Sequence, residues 1–320
     1  MLIFKLLVDS FTLPNEPEDF PVAMFRGPKW HAGGAGVVEA EVFMIDVGPE
    51  GSNGKGYLWA ITVYMWGSYS QIIKQGMLER PPPTSGGPAP DLLALRAARF
   101  LGTPEVETNV IIRASWLKCL ADPATQWKAR HLYERREIEF KINALLSILT
   151  NALMDFSGVD GGVRPRTLGC DWPVVFVDNP TSSNHRRRFS HPVKESYFFT
   201  PETRAGYLLL TLSMLQVYGR SVLSHPPTKI AEASNAVLSS ALASYVEAFI
   251  TTLPSSSSPG NALRKTAFMA DLKRYLRGIG LEFTDAEVNK AFTICITVGI
   301  RSGLRDCCKC VKTGRWLAKA

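Results

Sequence analysis

Cysteine is sparse in this chain, with six residues at positions 119, 170, 295, 307, 308 and 310 among 320. That density excludes a disulfide scaffold, and with no secretory signal the thiols are expected to be reduced. Long apolar runs are lacking as well. The longest, Ala205 to Tyr218, is broken by Thr211, Ser213 and Gln216 and is shorter than the roughly 20 residues of a membrane-spanning helix. No transmembrane segment is expected. At the N-terminus the apolar part of Met1 to Asp9 is short, holds Lys5 and runs straight into Asp9, so it reads as a first β-strand and not as a signal peptide. Leu2 excludes N-myristoylation. Catalytic motifs are missing too: there is no Gly-x-Ser-x-Gly elbow, no His-Glu-x-x-His and no Gly-x-x-x-x-Gly-Lys-Ser/Thr phosphate loop.

What is present is a globular composition, 46% hydrophobic and 20% charged, too apolar for disorder. The net charge of +7 is unevenly placed. Residues 261–320 hold twelve Lys and Arg against five Asp and Glu, while residues 1–260 hold 24 of each sign. One end of the molecule makes the positive field, and such a field concentrates anionic partners.

Two segments punctuate the chain. Pro81 to Pro90 excludes helix and central strand and reads as an exposed loop. Ser255 to Gly260 reads as a flexible linker. Val37 to Val47 and Tyr57 to Trp66 are apolar and aromatic runs around Gly48 to Gly54, and read as a hairpin with a long, turn-forming loop. Asp91 is a candidate N-cap for a helix from Leu92 to Leu101 that stops at Gly102, and Glu105 to Trp116 alternates like a strand. This order argues α+β architecture, not a doubly wound sheet. Arg136 to Met154 fits either a strand or an amphipathic helix. Trp172 to Val177 is a short strand, and Thr200-Pro201 opens a helix expected to reach about Leu223. A second helix is expected from about Thr228 to Leu253, a third is capped by Asn261 with Leu263, Phe268, Leu272 and Leu276 on one face, and Thr284 to Glu287 matches a capping box.

Candidate chemistry is thin. Cys307 and Cys310 form one knuckle with Cys308 between them and Cys295 upstream, but no second knuckle or later histidine completes a zinc site. Arg186, Arg187 and Arg188 could clamp phosphates through their guanidinium forks, or form a solvated loop. Gly33-Gly34-Ala35-Gly36 precedes a strand and reads as a turn. Asp46 and Glu50 flank a turn as solvated carboxylates, and His31 and His131 read as packing histidines. Trp59, Tyr64, Trp66 and Tyr69 read as sheet packing, with a base-stacking platform as the alternative.

Glu41 to Gly51 followed by Gly56 to Trp59, then the proline-bearing loop, Asp91-Leu92-Leu93 and Asn109 to Arg113, resembles the early strands of matrix proteins from non-segmented negative-strand RNA viruses. Arg135 to Leu145 is similar to a later basic–apolar strand of that family. The resemblance implies self-assembly beneath an acidic lipid leaflet, contact with ribonucleoprotein or RNA, and no catalysis.

The resulting expectation is an α+β protein with a β-rich part over 1–130, a mixed then helical part over 131–254, the linker 255–260 and a basic segment 261–320. Its function is expected to be that of a matrix-like structural protein, or else an RNA-binding coat protein, with no enzymatic activity, cofactor or metal. Its place is the host cytoplasm, the inner membrane face and the virion. The anion-binding set is Arg186, Arg187, Arg188, Arg264, Lys265, Lys273, Arg274, Arg277, Arg301, Arg305, Lys309, Lys312 and Arg315.

Overall fold

The computed structural model describes residues 6, 9–11, 19–36, 40–48, 51–83, 87–106, 111–151, 155–157, 162–188, 197–237, 246, 249, 262–278, 288 and 315–317. Helices and strands mix in an α+β arrangement. The centre is a five-stranded sheet of β1 (Phe43–Val47), β2 (Ser70–Ile72), β3 (Phe100–Gly102), β7 (Leu145–Thr150) and β9 (Thr167–Asp171), in the order β2-β3-β7-β1-β9. Every pairing in it is parallel. The remaining strands form pairs: β4 (Ile111–Arg113) with β8 (Asp155–Ser157), β5 (Gln126–Ala129) with β6 (Ile138–Lys141), β10 (Val175–Val177) with β11 (His185–Arg187), and β12 (Ala262–Arg264) with β13 (Arg315–Leu317). The central sheet therefore draws strands from both sides of residue 130.

A strand buried on both faces reads as a continuous apolar run, and β1 is buried at all five positions. Its alternate residues serve two cores. Phe43, Ile45 and Val47 pack with Leu101, Leu146 and Ile148, and Met44 packs with Leu145, Leu168 and Cys170. Asp46, in the same strand, is fully buried, which corrects its reading as a solvated turn carboxylate.

The principal helices are α1 (Asp19–Met24), α2 (Trp30–Ala35), α3 (Lys55–Trp66), α4 (Gln75–Glu79), α5 (Pro90–Leu93), α6 (Ala114–Ala121), α7 (Pro201–Tyr218), α8 (228–237) and α9 (Lys265–Gly278). A π-helical turn, Phe25–Lys29, joins α1 to α2.

Several expectations are corrected. Tyr57 to Trp66 is helix, so the hairpin is replaced by a strand–loop–helix unit. Its buried residues Lys55, Leu58, Ile61, Thr62 and Met65 keep helical spacing. The outer face is also apolar because Tyr57 and Tyr64 meet Phe199, and Tyr57 meets Phe198 as well. Leu6 and residues 9–11 are helical, with the Ser10 hydroxyl donating to Leu6 O four residues back, so the N-terminal strand is not formed there. Gly33 and Gly34 lie inside α2, not in a turn, because that segment packs tightly below Leu223 and Phe100.

The Asp91-capped helix shrinks to α5, with Ala89 at its cap. Phe100–Gly102 joins the sheet instead, where pairing to β2 and β7 outweighs the glycine stop. Of the strand over 105–116, Val106 bridges Thr150 and Ile111–Arg113 is β4, but Trp116 belongs to α6. The 136–154 alternative resolves as strands β6 and β7. The strand expected at Trp172 begins at Val175.

The helix start at Thr200 holds, although the helix ends at Tyr218 and not near Leu223. Thr200 caps α7 by accepting from Thr203 N, with Pro201 in the first turn, and the 3-10 turn Gly219–Ser221 follows. The helix capped at Asn261 is displaced: residues 262–264 are strand and α9 begins at Lys265, with Met269, Leu272 and Leu276 buried as its apolar face. The Thr284 capping box, the 255–260 linker and Cys295, Cys307, Cys308 and Cys310 lie outside the described residues. Among the described residues no helix is long and apolar enough to cross a membrane.

Candidate functional site

Because the sheet strands run parallel, their C-terminal ends meet at one edge. Open parallel sheets place ligands there. β1 ends into Gly48, β3 into Thr103, Pro104 and Glu105, and β7 into Asn151. A cleft of about 480 Å3 opens at this edge, lined by the 51–57 turn, Trp59, Thr103, Glu105, Leu149, Phe176 and Arg188.

The turn has an unusual backbone. Ser52 has φ 61° and Gly54 has φ 97°, two left-handed residues separated by Asn53. Alternation of this kind turns successive backbone N–H groups to one side and makes an anion-binding nest. A serine held at positive φ is strained, which the surroundings must enforce. They do so through β10, where Phe176 N donates to Ser52 O at 2.9 Å. Gly48 is needed for another reason: a Cβ there would sit 2.0 Å from Asn53 Nδ2 and 2.6 Å from Lys55 Nζ.

Gly54 caps α3, whose first intrahelical bond runs from Leu58 N to Gly54 O. The opening N–H groups of such a helix have no carbonyl of their own helix to bond and carry the positive end of its dipole. Lys55, the first residue of α3, is buried. Its ammonium donates to Gly48 O at 3.1 Å and to Asn151 Oδ1 at 3.0 Å, with Glu105 Oε1 at 4.0 Å. Burial pushes the Lys55 amine below its ordinary range, and Glu105 and Asp46 pull partly the other way. Here, then, is a cation on the first residue of a helix, after a turn with two left-handed residues, with neutral oxygens as its close partners, while the Lys55 N–H donates to Asn53 Oδ1 at 3.4 Å.

One layer below, Arg26 meets Asp46 in a two-pronged ion pair, Nε to Oδ1 and Nη2 to Oδ2, both at 2.7 Å. Trp172 Nε1 donates to Asp46 Oδ1 at 2.8 Å. Burial alone would lower the guanidinium, but facing Asp46 carries it above its usual value. His31 is buried between Tyr207 OH at 2.9 Å and Thr62 Oγ1 at 3.1 Å, as a packing histidine. Burial, with the Arg26 charge added, pushes its pKa down to about 3. His131 is exposed, so its packing reading is corrected.

The expected anion-binding residues are dispersed. Among the described residues of that set, Arg188 alone lines the cleft. Arg186 donates to Ser183 O and His185 O within its own loop, and Arg187 is exposed on β11. Arg274 and Arg277 are exposed on α9, where Arg274 pairs with Asp271 at 3.0 Å and Lys273 is half-buried. Lys265 opens α9, and Arg264 and Arg315 are register partners between β12 and β13. Arg301, Arg305, Lys309 and Lys312 lie outside the described residues. The aromatic strand platform is also replaced: Trp59, Tyr64 and Trp66 are on α3, and Trp59 faces the cleft.

Lys55, Asn151 and Glu105 were missed by motif. The phosphate-loop pattern asks for glycine five residues before the Gly-Lys pair and a hydroxyl after it. Here Pro49 stands at the first position, Gly48 is one residue further back, and Gly56 replaces the Ser or Thr. The remaining signal was Gly54-Lys55 following, after the Gly48 to Asn53 turn, the apolar run that ends at Val47.

No family model and no curated protein matches the chain. Among solved structures it is similar to the A form apo structure of the NrS-1 C-terminal region, at 12% identity over 100% of this chain and 76% of that one, with a TM-score of 0.49. A second structure of that region, spanning residues 305–718, matches at 14% identity over 100% and 75%, with a TM-score of 0.43. The expectation of a protein without enzymatic activity does not stand; what is proposed in its place rests on the cleft described above and not on these neighbours.

Proposed function

We propose that the cleft binds a nucleoside triphosphate by its phosphates and that the chain hydrolyses the terminal phosphoryl group. The observation that carries this reading is Lys55, buried at the first position of α3 behind a nest-forming turn, with its ammonium parked on Gly48 O. A helix N-terminus with converging backbone donors binds phosphate, and a lysine reaching across it neutralises the outer phosphates. On binding, the Lys55 ammonium leaves the Gly48 carbonyl for phosphate oxygens, an exchange of a neutral acceptor for a charged one.

The other residues take roles from position. Asn151, at the end of β7, keeps Lys55 oriented through its 3.0 Å contact. Glu105 is exposed beside Lys55 and is the carboxylate at hand to orient a water against the terminal phosphorus. A divalent cation accompanying the nucleotide would neutralise phosphate charge. Gly56 offers it no hydroxyl, and Glu105 is the carboxylate among the cleft-lining residues that would hold it.

The test is calorimetric titration with adenosine triphosphate and magnesium, alongside phosphate release. Binding that Lys55→Ala abolishes in a folded variant supports the reading. Absence of binding by the folded wild-type chain contradicts it.

The matrix-like or RNA-binding role is a separate proposal with one support in the structure. α9 buries Leu272 and Leu276 while Arg274 and Arg277 remain exposed on its outer side. Co-sedimentation with anionic liposomes, beside RNA binding across a salt series, tests it.

A further inference from the structure

We propose that Arg188 is a phosphate ligand supplied in cis, which binds the outer phosphates of the triphosphate together with Lys55. This rests on the nucleotide reading of the cleft and adds to it the group that makes the site distinguish a triphosphate from shorter nucleotides.

Of the Arg186–Arg188 run, only Arg188 reaches the cleft wall. Its backbone is fixed, since its N–H donates to Val177 O at 2.8 Å and so follows β10. The same β10 segment holds the phosphate-binding turn through the Phe176 N to Ser52 O bond at 2.9 Å. Turn and arginine therefore share one support.

The guanidinium itself is held by replaceable partners. Nη2 donates to Phe176 O at 3.2 Å and to Ser52 Oγ at 3.4 Å, a residue of the turn. Nε lies 3.9 Å from Asp178 Oδ1, whose side chain is 80% exposed. An exposed pair at that separation contributes little. A guanidinium carries five donors in a planar fork that matches phosphate oxygens two at a time. Phosphate oxygens arriving over Ser52 would thus meet a fork already within reach of the turn.

Charge balance calls for such a group. A triphosphate brings several negative charges, and Lys55 is a single cation that also faces Glu105 at 4.0 Å. Arg186 does not substitute, because its Nη1 donates to Ser183 O and His185 O, both at 2.9 Å.

The experiment compares adenosine tri-, di- and monophosphate binding, with magnesium, to the full wild-type chain and to Arg188→Gln, Arg188→Lys and Arg186→Gln, each checked for folding by its thermal melt. Arg188→Gln is expected to weaken triphosphate binding about tenfold or more while changing monophosphate binding much less. Arg188→Lys recovers part of the loss, and Arg186→Gln leaves the series unchanged. Wild-type triphosphate affinity in Arg188→Gln overturns the proposal and leaves the Lys55 cleft standing. Equal losses in Arg186→Gln and Arg188→Gln overturn it too, because general charge then explains the effect. A folded wild-type chain that binds none of the three nucleotides overturns both readings.

Discussion

Arg26 and Lys55 are both buried cations beside the same central strand, and they are balanced in opposite ways. Arg26 is matched by the carboxylate of Asp46, which a tryptophan N–H further satisfies. Lys55 is held closely by a carbonyl and an amide oxygen, with a carboxylate only at 4.0 Å. Burying a charge is unfavourable unless it is paired and hydrogen-bonded. The first arrangement is closed and serves the fold. The second sits at an open sheet edge with its charge poorly matched, which is what a site awaiting an anion requires.

This comparison can be broken by substitution. The largest effect is expected for Asp46→Ala, which strands Arg26 in the interior and should reduce stability by about 3–5 kcal/mol in denaturant unfolding. If Asp46→Ala unfolds at the wild-type midpoint, the pair is not structural. Acid should also act on the interior first. Between pH 6.5 and about 3 the unfolded chain binds a proton at His31 that the folded chain refuses. Stability should therefore fall as pH drops through that window, with a slope of about 1.4 kcal/mol per pH unit from this group at its steepest. His31→Gln should flatten the unfolding-midpoint profile there, and an unchanged profile would contradict the assignment.

At the cleft, Gly54→Ala forces a side chain into φ 97° and 3.2 Å from Ser10 Oγ. It should destabilise the chain by about 1–2 kcal/mol and weaken nucleotide binding further, as read by calorimetry. The smallest effect belongs to Arg274→Ala, which removes an exposed pair with Asp271 and should shift stability by about 0.5 kcal/mol or less in the same unfolding assay.

The contrast also separates what was legible in the sequence from what was not. Thr200-Pro201 specifies its helix start locally, and the Leu272–Leu276 face of α9 follows from spacing. Position 57 to 66 misled because aromatic and β-branched residues fit a strand, while tertiary cover on both sides made the helix apolar all round. The 48–54 turn was legible as a turn, but its role depended on what followed it. A helix there converts the turn into a phosphate cradle, whereas a hairpin would have made it a linker. Asp46 was unreadable for a similar reason, since its partner Arg26 lies twenty residues away in a π-helical turn.

The most direct measurement is calorimetric titration of adenosine triphosphate into the wild-type chain and into Lys55→Met, with thermal melts of both. Lys55→Met should lose triphosphate binding by about a hundredfold or more, yet melt at or slightly above the wild-type temperature because a poorly matched buried charge has been removed. Unchanged binding in Lys55→Met, or a collapse of its melting temperature like that expected for Asp46→Ala, would contradict the distinction between a structural Arg26 and a phosphate-binding Lys55.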